Sequence, residues 1–514
     1  MSISRRQLLS GATIAGAGLV AGPGMTAAAV RPSVGLSDLE QGFGPGPGPE
    51  FEPFPPLGAH SGDLIALPGG FTYQEVAVSG QTDIHDGTGT LIGKTPERPD
   101  GTMAVREGGR AWRLIQNHEG SLGSPLPVPH VAGTVYDPGA LAGGTTVIET
   151  TTTGERVSEW VGLSGTISNC AGGPTPWGSW LSCEETEDKA GTGTLEKDHG
   201  YVFEVFAGMP GDQVPEPIKA WGRFSHEGAV VEPSRRRVYL TEDSPPTPNG
   251  LFYRWTAPEG VKLQPGIAQQ LGAEDGVLEA MAVLTPALDQ TGVVKDSVLP
   301  DLAYVTAAQI GRPFRTSWVP VPDRQAATMS VRSQFDAGTV TRSRKLEGAA
   351  GDQHGAYFVA SFANVLADLP LDATKHDGQL WYYHYRDETL TLVGYCPFNP
   401  LVHSPLGADW ETRIAKSIDL AFDGLDGCHV SPYGPLILTE DGDSANHVLS
   451  WSREVGFQAI ARNLVVLRTN AQGAHVYSEM TGPTFSPDAN VLFSNIFNPG
   501  HVLAITGPWS RYLR

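Results

Sequence analysis

Two distant stretches of this chain follow the same short plan. Residues 238–243 read V-Y-L-T-E-D, and residues 250–255 follow as G-L-F-Y-R-W. Residues 436–441 read L-I-L-T-E-D, and residues 447–452 follow as H-V-L-S-W-S. Residues 358–364 followed by G-Q-L-W-Y-Y at 378–383 make a looser third copy. Each copy is a β-type run, a polar tip, a loop and a second β-type run. Such a unit cannot cover its own apolar faces, and irregularly spaced copies are how a β-propeller with long insertions reads in sequence. A jelly roll or sandwich would accommodate the strands but gives no reason for the tips to recur.

The rest of the chain agrees with an all-β reading. Brief apolar and aromatic runs at 112–116, 201–206, 356–361, 379–385 and 491–494 are bounded by Gly, Pro, Asp or Asn. With 63 Gly and 41 Pro in 514 residues, turns are frequent and long helices are not expected. The first residues are a separate matter. Ser4-Arg5-Arg6-Gln7-Leu8-Leu9 is a twin-arginine pattern, residues 11–21 are mildly apolar, and Ala27-Ala28-Ala29 offers small residues for cleavage. The apolar run is too short to span a bilayer comfortably. The expected organisation is a Tat signal over residues 1–29, a Gly/Pro-rich arm over 30–57, and one β-propeller catalytic domain over 58–514. The expected route is export by the Tat translocase to a secreted or cell-surface location, with no stable membrane insertion after cleavage.

A formal net charge of −21 argues against a nucleic-acid partner, because the phosphate backbone would be repelled. Four cysteines, Cys170, Cys183, Cys396 and Cys428, allow two disulfides in three connectivities, or a metal-bound thiolate instead. The sequence leaves that choice open.

In a propeller, equivalent strand ends converge on one end of the central channel. That pools Asn117-His118-Glu119, Cys170, Glu184-Glu185, His226-Glu227, Glu242-Asp243, Glu347, Asp423, Asp426, Glu440-Asp441 and Glu479. So many carboxylates at one place must either be protonated or hold cations. Carboxylates suit calcium, and a thiolate beside them suits a transition metal such as iron. The bland roles are structural contacts for His118 and His226, hydrogen bonding to turn backbone for Glu184, Glu185, Glu242 and Glu440, and turn closure for Asp243 and Asp441.

Residues 169–185, N-C-A-G-G-P-T-P-W-G-S-W-L-S-C-E-E, resemble the signature of the PhoX family of bacterial alkaline phosphatases. Residues 221–227 (W-G-R-F-S-H-E), 241–243 (T-E-D), 479–482 (E-M-T-G), 485–488 (F-S-P-D) and 495–500 (N-I-F-N-P-G) extend the resemblance. It implies a β-propeller, six-bladed here, with long inserted loops and few short helices. It implies a secreted phosphatase that hydrolyses phosphomonoesters with calcium (Ca2+) and an oxo-bridged ferric (Fe3+) pair. Carried over by position, Cys170 and Glu227 become iron ligands, and Glu347, an aspartate of 423–427 (Asp426 in preference to Asp423) and Glu479 complete the metal set. Where the family has an arginine two residues before the carboxylate matching Glu347, this chain has Lys345 with Arg344 beside it. Lys345 and Arg344 are therefore the candidates for gripping phosphate, with Arg223 as a substitute. The competing readings are a calcium-dependent propeller hydrolase of lactones or phosphotriesters, which would need neither iron nor Cys170, and a non-enzymatic calcium-binding propeller.

Overall fold

Most described strands of the computed structural model fall into six largely antiparallel groups arranged around one ring. The described residues are 52–60, 62–107, 111–244, 248–288, 294–362, 377–396, 422, 424–442, 445–469 and 475–513. The expected signal, most of the arm and Asp423 lie outside them.

Blade one comprises Pro99–Glu107, Ala111–His118, Gly143–Thr151 and Arg156–Thr166. Blade two has three strands, Asn169–Pro174, Trp180–Glu184 and Val202–Val205. Blade three is His226–Val231, Arg237–Glu242, Gly250–Thr256 and Val277–Leu288. Blade four is Leu346–Gly351, Gly355–Ala360, Gly378–His384 and Thr389–Cys396, and Pro313–Pro320 joins its outer edge to that of blade three. Blade five is Leu425–Val430, Leu436–Glu440, His447–Ser452 and Gly456–Asn463. In blade six, Met480–Phe485, Val491–Ile496 and His501–Thr506 are completed on the outer edge by Thr72–Val78 from the other end of the chain. Pairing the start of the chain with its end closes the ring without a free seam. Tips 241–243 and 439–441 end the second strands of blades three and five, as their repetition predicts. Among the described residues the helices are short: 3-10 turns and the four-residue helix Trp509–Tyr512.

Large apolar side chains fill the spaces between blades. Trp221, Tyr253 and Trp255 pack between blades two and three, and Tyr239, Phe252, Phe358, Trp381 and Tyr383 between three and four. Phe54 stacks on Tyr512 with ring centroids 5.1 Å apart, and Phe71 meets Trp509 edge-on at 4.7 Å, so residues on either side of the closure are held together by aromatic contacts.

The inner strands touch their successive neighbours all the way round. Each also loses register at the same place, with one extra residue relative to its partner. The breaks fall between Pro99 and Thr102, Asn169 and Gly172, His226 and Ala229, Leu346 and Ala349, Leu425 and Cys428, and Thr481 and Thr484. The bulged pairs are Asp100-Gly101, Cys170-Ala171, Glu227-Gly228, Glu347-Gly348, Asp426-Gly427 and Gly482-Pro483. A bulge re-aims a side chain that regular pleating would send to the other face. Glycine in second place lets inner strands approach. A Cβ on Gly348 would stand 2.9 Å from the Asp426 carbonyl oxygen of the next blade.

Candidate metal centre

The bulges bring distant residues to one point. Ligand atoms of Cys170, Glu185 and Glu227 lie within 4.8 Å of one another, and so do those of Glu227, Glu347 and Asp426. Glu227 belongs to both groups and joins them. Four of the five residues expected to bind metal are thus assembled. Cys170, Glu227, Glu347 and Asp426 are all buried, and Glu185 is half-buried. Glu479 belongs to neither group. The channel position of its blade is Gly482, because the register break falls beyond Thr481.

Asp100 was not foreseen. Like Glu479 it belongs to neither group, but it occupies the bulge position of blade one, is buried, and its charge contributes to raising the Cys170 pKa. A signal was present in the dipeptides Asp100-Gly101, Glu227-Gly228, Glu347-Gly348 and Asp426-Gly427, one acidic residue before glycine in each of four inner strands.

The strand tips divide into two roles. Glu184, Glu242 and Glu440 point into their own blades and accept hydrogen bonds from the next strand or loop. Glu184 accepts from the backbone N–H groups of Ile167, Gly200 and Tyr201 and lies 2.6 Å from His199 Nδ1. Glu242 accepts from Leu251 N–H, the Tyr253 hydroxyl and Arg332, and burial pushes its pKa up to about 7 against the opposing pull of Arg332. Glu440 accepts from the backbone and the imidazole of His447. One residue further on, Glu185 joins the cluster, and Asp243 meets Lys345 at 3.2 Å.

The two histidines are structural. His118 is buried between the Glu97 carbonyl and the Thr146 hydroxyl, and burial lowers its pKa to about 4. His226 stacks on Phe224 at 3.6 Å and donates from Nε2 to the Gly222 carbonyl, with burial lowering its pKa to about 3. Asn117 braces the cysteine bulge. Its amide donates to the carbonyls of Cys170 and Ala171, and its oxygen accepts from Trp180 and Ser182.

Of the basic candidates, Lys345 faces the cluster, with Nζ 2.7 Å from Glu347 and 3.2 Å from Asp243. Arg344 is buried, and Asp301 is the acidic group that its guanidinium feels. Arg223 donates to the carbonyls of Gln325, Glu187, His199 and Ala326, which commits its fork to loop structure.

The donor set fits metal ions. Cys170, Cys183 and Cys428 are free thiols. Burial, followed by the nearby carboxylates of Glu227 and Glu185, pushes the Cys170 thiol well above its usual range. Its Sγ donates to the His226 carbonyl at 3.3 Å. Four buried or half-buried carboxylates this close repel one another unless they are protonated or cations compensate, and the Lys345 ammonium compensates for part. Hard oxygen donors suit calcium, and the one sulfur suits a transition metal.

The profile of the alkaline phosphatase PhoX family matches residues 52–500. No curated protein matches the chain. Among solved structures, PhoX of Pseudomonas fluorescens, in complex with vanadate, a transition-state analogue, aligns at 16% identity and a TM-score of 0.61 over 88% of this chain and 98% of that one. That likeness extends to the fold. A gluconolactonase from Xanthomonas campestris aligns at 11% identity and a TM-score of 0.36 over 89% of this chain and 99% of its own. Its score is too low to support any conclusion.

Proposed function

The chain belongs to the PhoX family of alkaline phosphatases, and from that premise we propose that its buried acidic ring is a calcium and iron centre acting on phosphomonoesters. Cys170, Glu185 and Glu227 would hold iron, and Glu227, Glu347 and Asp426 would hold calcium, with Glu227 shared. Bound there, the ions would neutralise phosphate oxygens and raise the electrophilicity of phosphorus.

This chain's own residues set the remaining terms. The Lys345 ammonium offers a point charge to a phosphoryl oxygen, where an arginine would offer a planar fork. Asp243 and Glu347 aim that ammonium into the ring. The Cys170 proton, held tightly by burial, must leave before the sulfur can bind metal. The buried walls keep water from screening these charges. Among the described residues no helix is long and apolar enough to cross a membrane.

The observation that carries this reading is the shared position of Glu227. A calcium-only propeller would have no use for a cysteine drawn into the same group of carboxylates. The test is metal analysis of protein purified from a Tat-competent host, together with a phosphomonoester assay with and without a calcium chelator. Iron and calcium in the same chain and turnover lost on chelation are expected. Calcium without iron, or turnover indifferent to the chelator, refutes the proposal.

A further inference from the structure

Lys345 is placed inside the acidic ring. Its Nζ lies 2.7 Å from Oε1 of Glu347 and 3.2 Å from Oδ2 of Asp243, and the side chain is only 20% exposed. The backbone there is left-handed, with φ at 47°, a conformation that non-glycine residues adopt at a cost and that the surroundings must hold in place. Ser361 supplies that support twice. Its N–H donates to the Lys345 carbonyl at 3.0 Å, and its hydroxyl donates to Oε1 of Glu347 at 3.1 Å, the oxygen the ammonium also touches. The Phe362 ring lies 5.5 Å from Nζ. The ammonium is therefore held against a carboxylate that also belongs to the Glu227–Glu347–Asp426 group.

A fixed positive charge in contact with a carboxylate repels any cation the same carboxylate binds, and attracts an anion that approaches the pair. We propose that Lys345 is a built-in counter-cation that lowers the affinity of the centre for metal while it raises the affinity for phosphate. The two effects come from one charge and have opposite signs. The inference rests on the metal-dependent phosphatase reading, but its first readout is metal affinity and needs no turnover.

The test uses full-length protein stripped of metal, titrated with calcium by calorimetry as wild type, Lys345→Met and Lys345→Arg. Even with the screening of bulk water, removing a charge this close should tighten calcium binding by about tenfold, and more in a buried site, in Lys345→Met. Lys345→Arg, which keeps the charge, should bind calcium as wild type does. Competition by inorganic phosphate, measured on calcium-saturated protein, should weaken by about tenfold in Lys345→Met, the loss expected for one charge-assisted contact. Calcium affinity that is unchanged or weaker in Lys345→Met overturns the proposal, as does an equal gain in Lys345→Arg or phosphate binding indifferent to the charge. Lys345→Gln provides a second neutral side chain should the methionine variant fold poorly. Absence of phosphatase activity in every variant, with the calcium shift intact, would instead count against the enzymatic reading.

Discussion

His199 is clamped between two carboxylates, with Nδ1 2.6 Å from Oε1 of Glu184 and Nε2 3.1 Å from Oδ2 of Asp137, all three side chains buried. Glu184 also accepts the Ile167 N–H, so the clamp ties together the strand ends that carry Cys170 and Glu185.

A pH dependence follows from that clamp. Burial alone would lower the imidazole pKa, but Glu184 and Asp137 outweigh it and bring it from 6.5 up to about 9. A pKa raised by folding contributes stability that is complete below 6.5 and lost as pH climbs through about 9. The loss should amount to roughly 3 kcal/mol. Denaturant unfolding across that window should show the decline in wild type and its absence in His199→Gln, which should be the less stable protein at the acid end. Parallel pH curves for the two proteins would sink the assignment.

The bulge register yields a comparison between two carboxylates. Asp100 occupies the position that holds Cys170, Glu227, Glu347 and Asp426 in the other blades, and Glu479 does not. Asp100→Asn should lower metal content or kcat/KM by about tenfold to a hundredfold, the range typical of groups that orient or complete a metal site. Glu479→Gln should cost distinctly less. Metal analysis and steady-state kinetics on both variants decide the matter, and a larger loss in Glu479→Gln would reverse the assignment.

These two residues also mark how far the sequence could be read. The tips at 241–243 and 439–441 announced themselves because threonine, glutamate and aspartate recur in the same order after an apolar strand. Their division of labour was not legible. Glu242 and Glu440 turn inward because each has hydrogen-bond donors waiting on the next strand, and those donors are fixed by pairing that spacing does not reveal. Asp100 was hidden because P-D-G-T reads as an ordinary turn until its strand is aligned with five others. Glu479 drew attention through the E-M-T-G run that resembles the PhoX family, but the extra residue of its strand falls further on, at Gly482.

On the proposed reading, Cys170 is what separates an iron site from a calcium site. Its Sγ is fully buried and its proton is held well above the usual thiol range, so an ion that takes the sulfur must displace that proton. Iron loading of stripped protein should release a proton, seen as a dependence of the calorimetric heat on buffer ionisation, and should weaken as pH falls. Cys170→Ala should bind calcium and lose both iron and any thiolate-to-iron absorption band. A variant that keeps its iron and its spectrum would remove the sulfur from the centre.

Ring closure makes the last prediction. Gly482 takes the sixth bulge position, where blade six meets blade one. A Cβ there would stand 2.1 Å from the Asp100 carbonyl oxygen, 2.4 Å from Asn495 Nδ2 and 2.5 Å from Thr102 Oγ1, in a backbone with φ at 55°. Gly482→Ala must therefore push the inner strand of blade one away, and with it Asp100. Gly434 supplies the control, since its φ is 111° but a Cβ would find nothing within 4 Å. Gly434→Ala should cost about 1 kcal/mol from backbone strain alone. Gly482→Ala should cost more than about 3 kcal/mol, because close approach is added to strain at a buried seam. It should also lower metal occupancy in whatever fraction remains folded, and Gly434→Ala should not. Equal losses of stability in denaturant unfolding would mean that the seam between blades six and one yields easily, and that the position of Asp100 does not depend on Gly482 lacking a side chain.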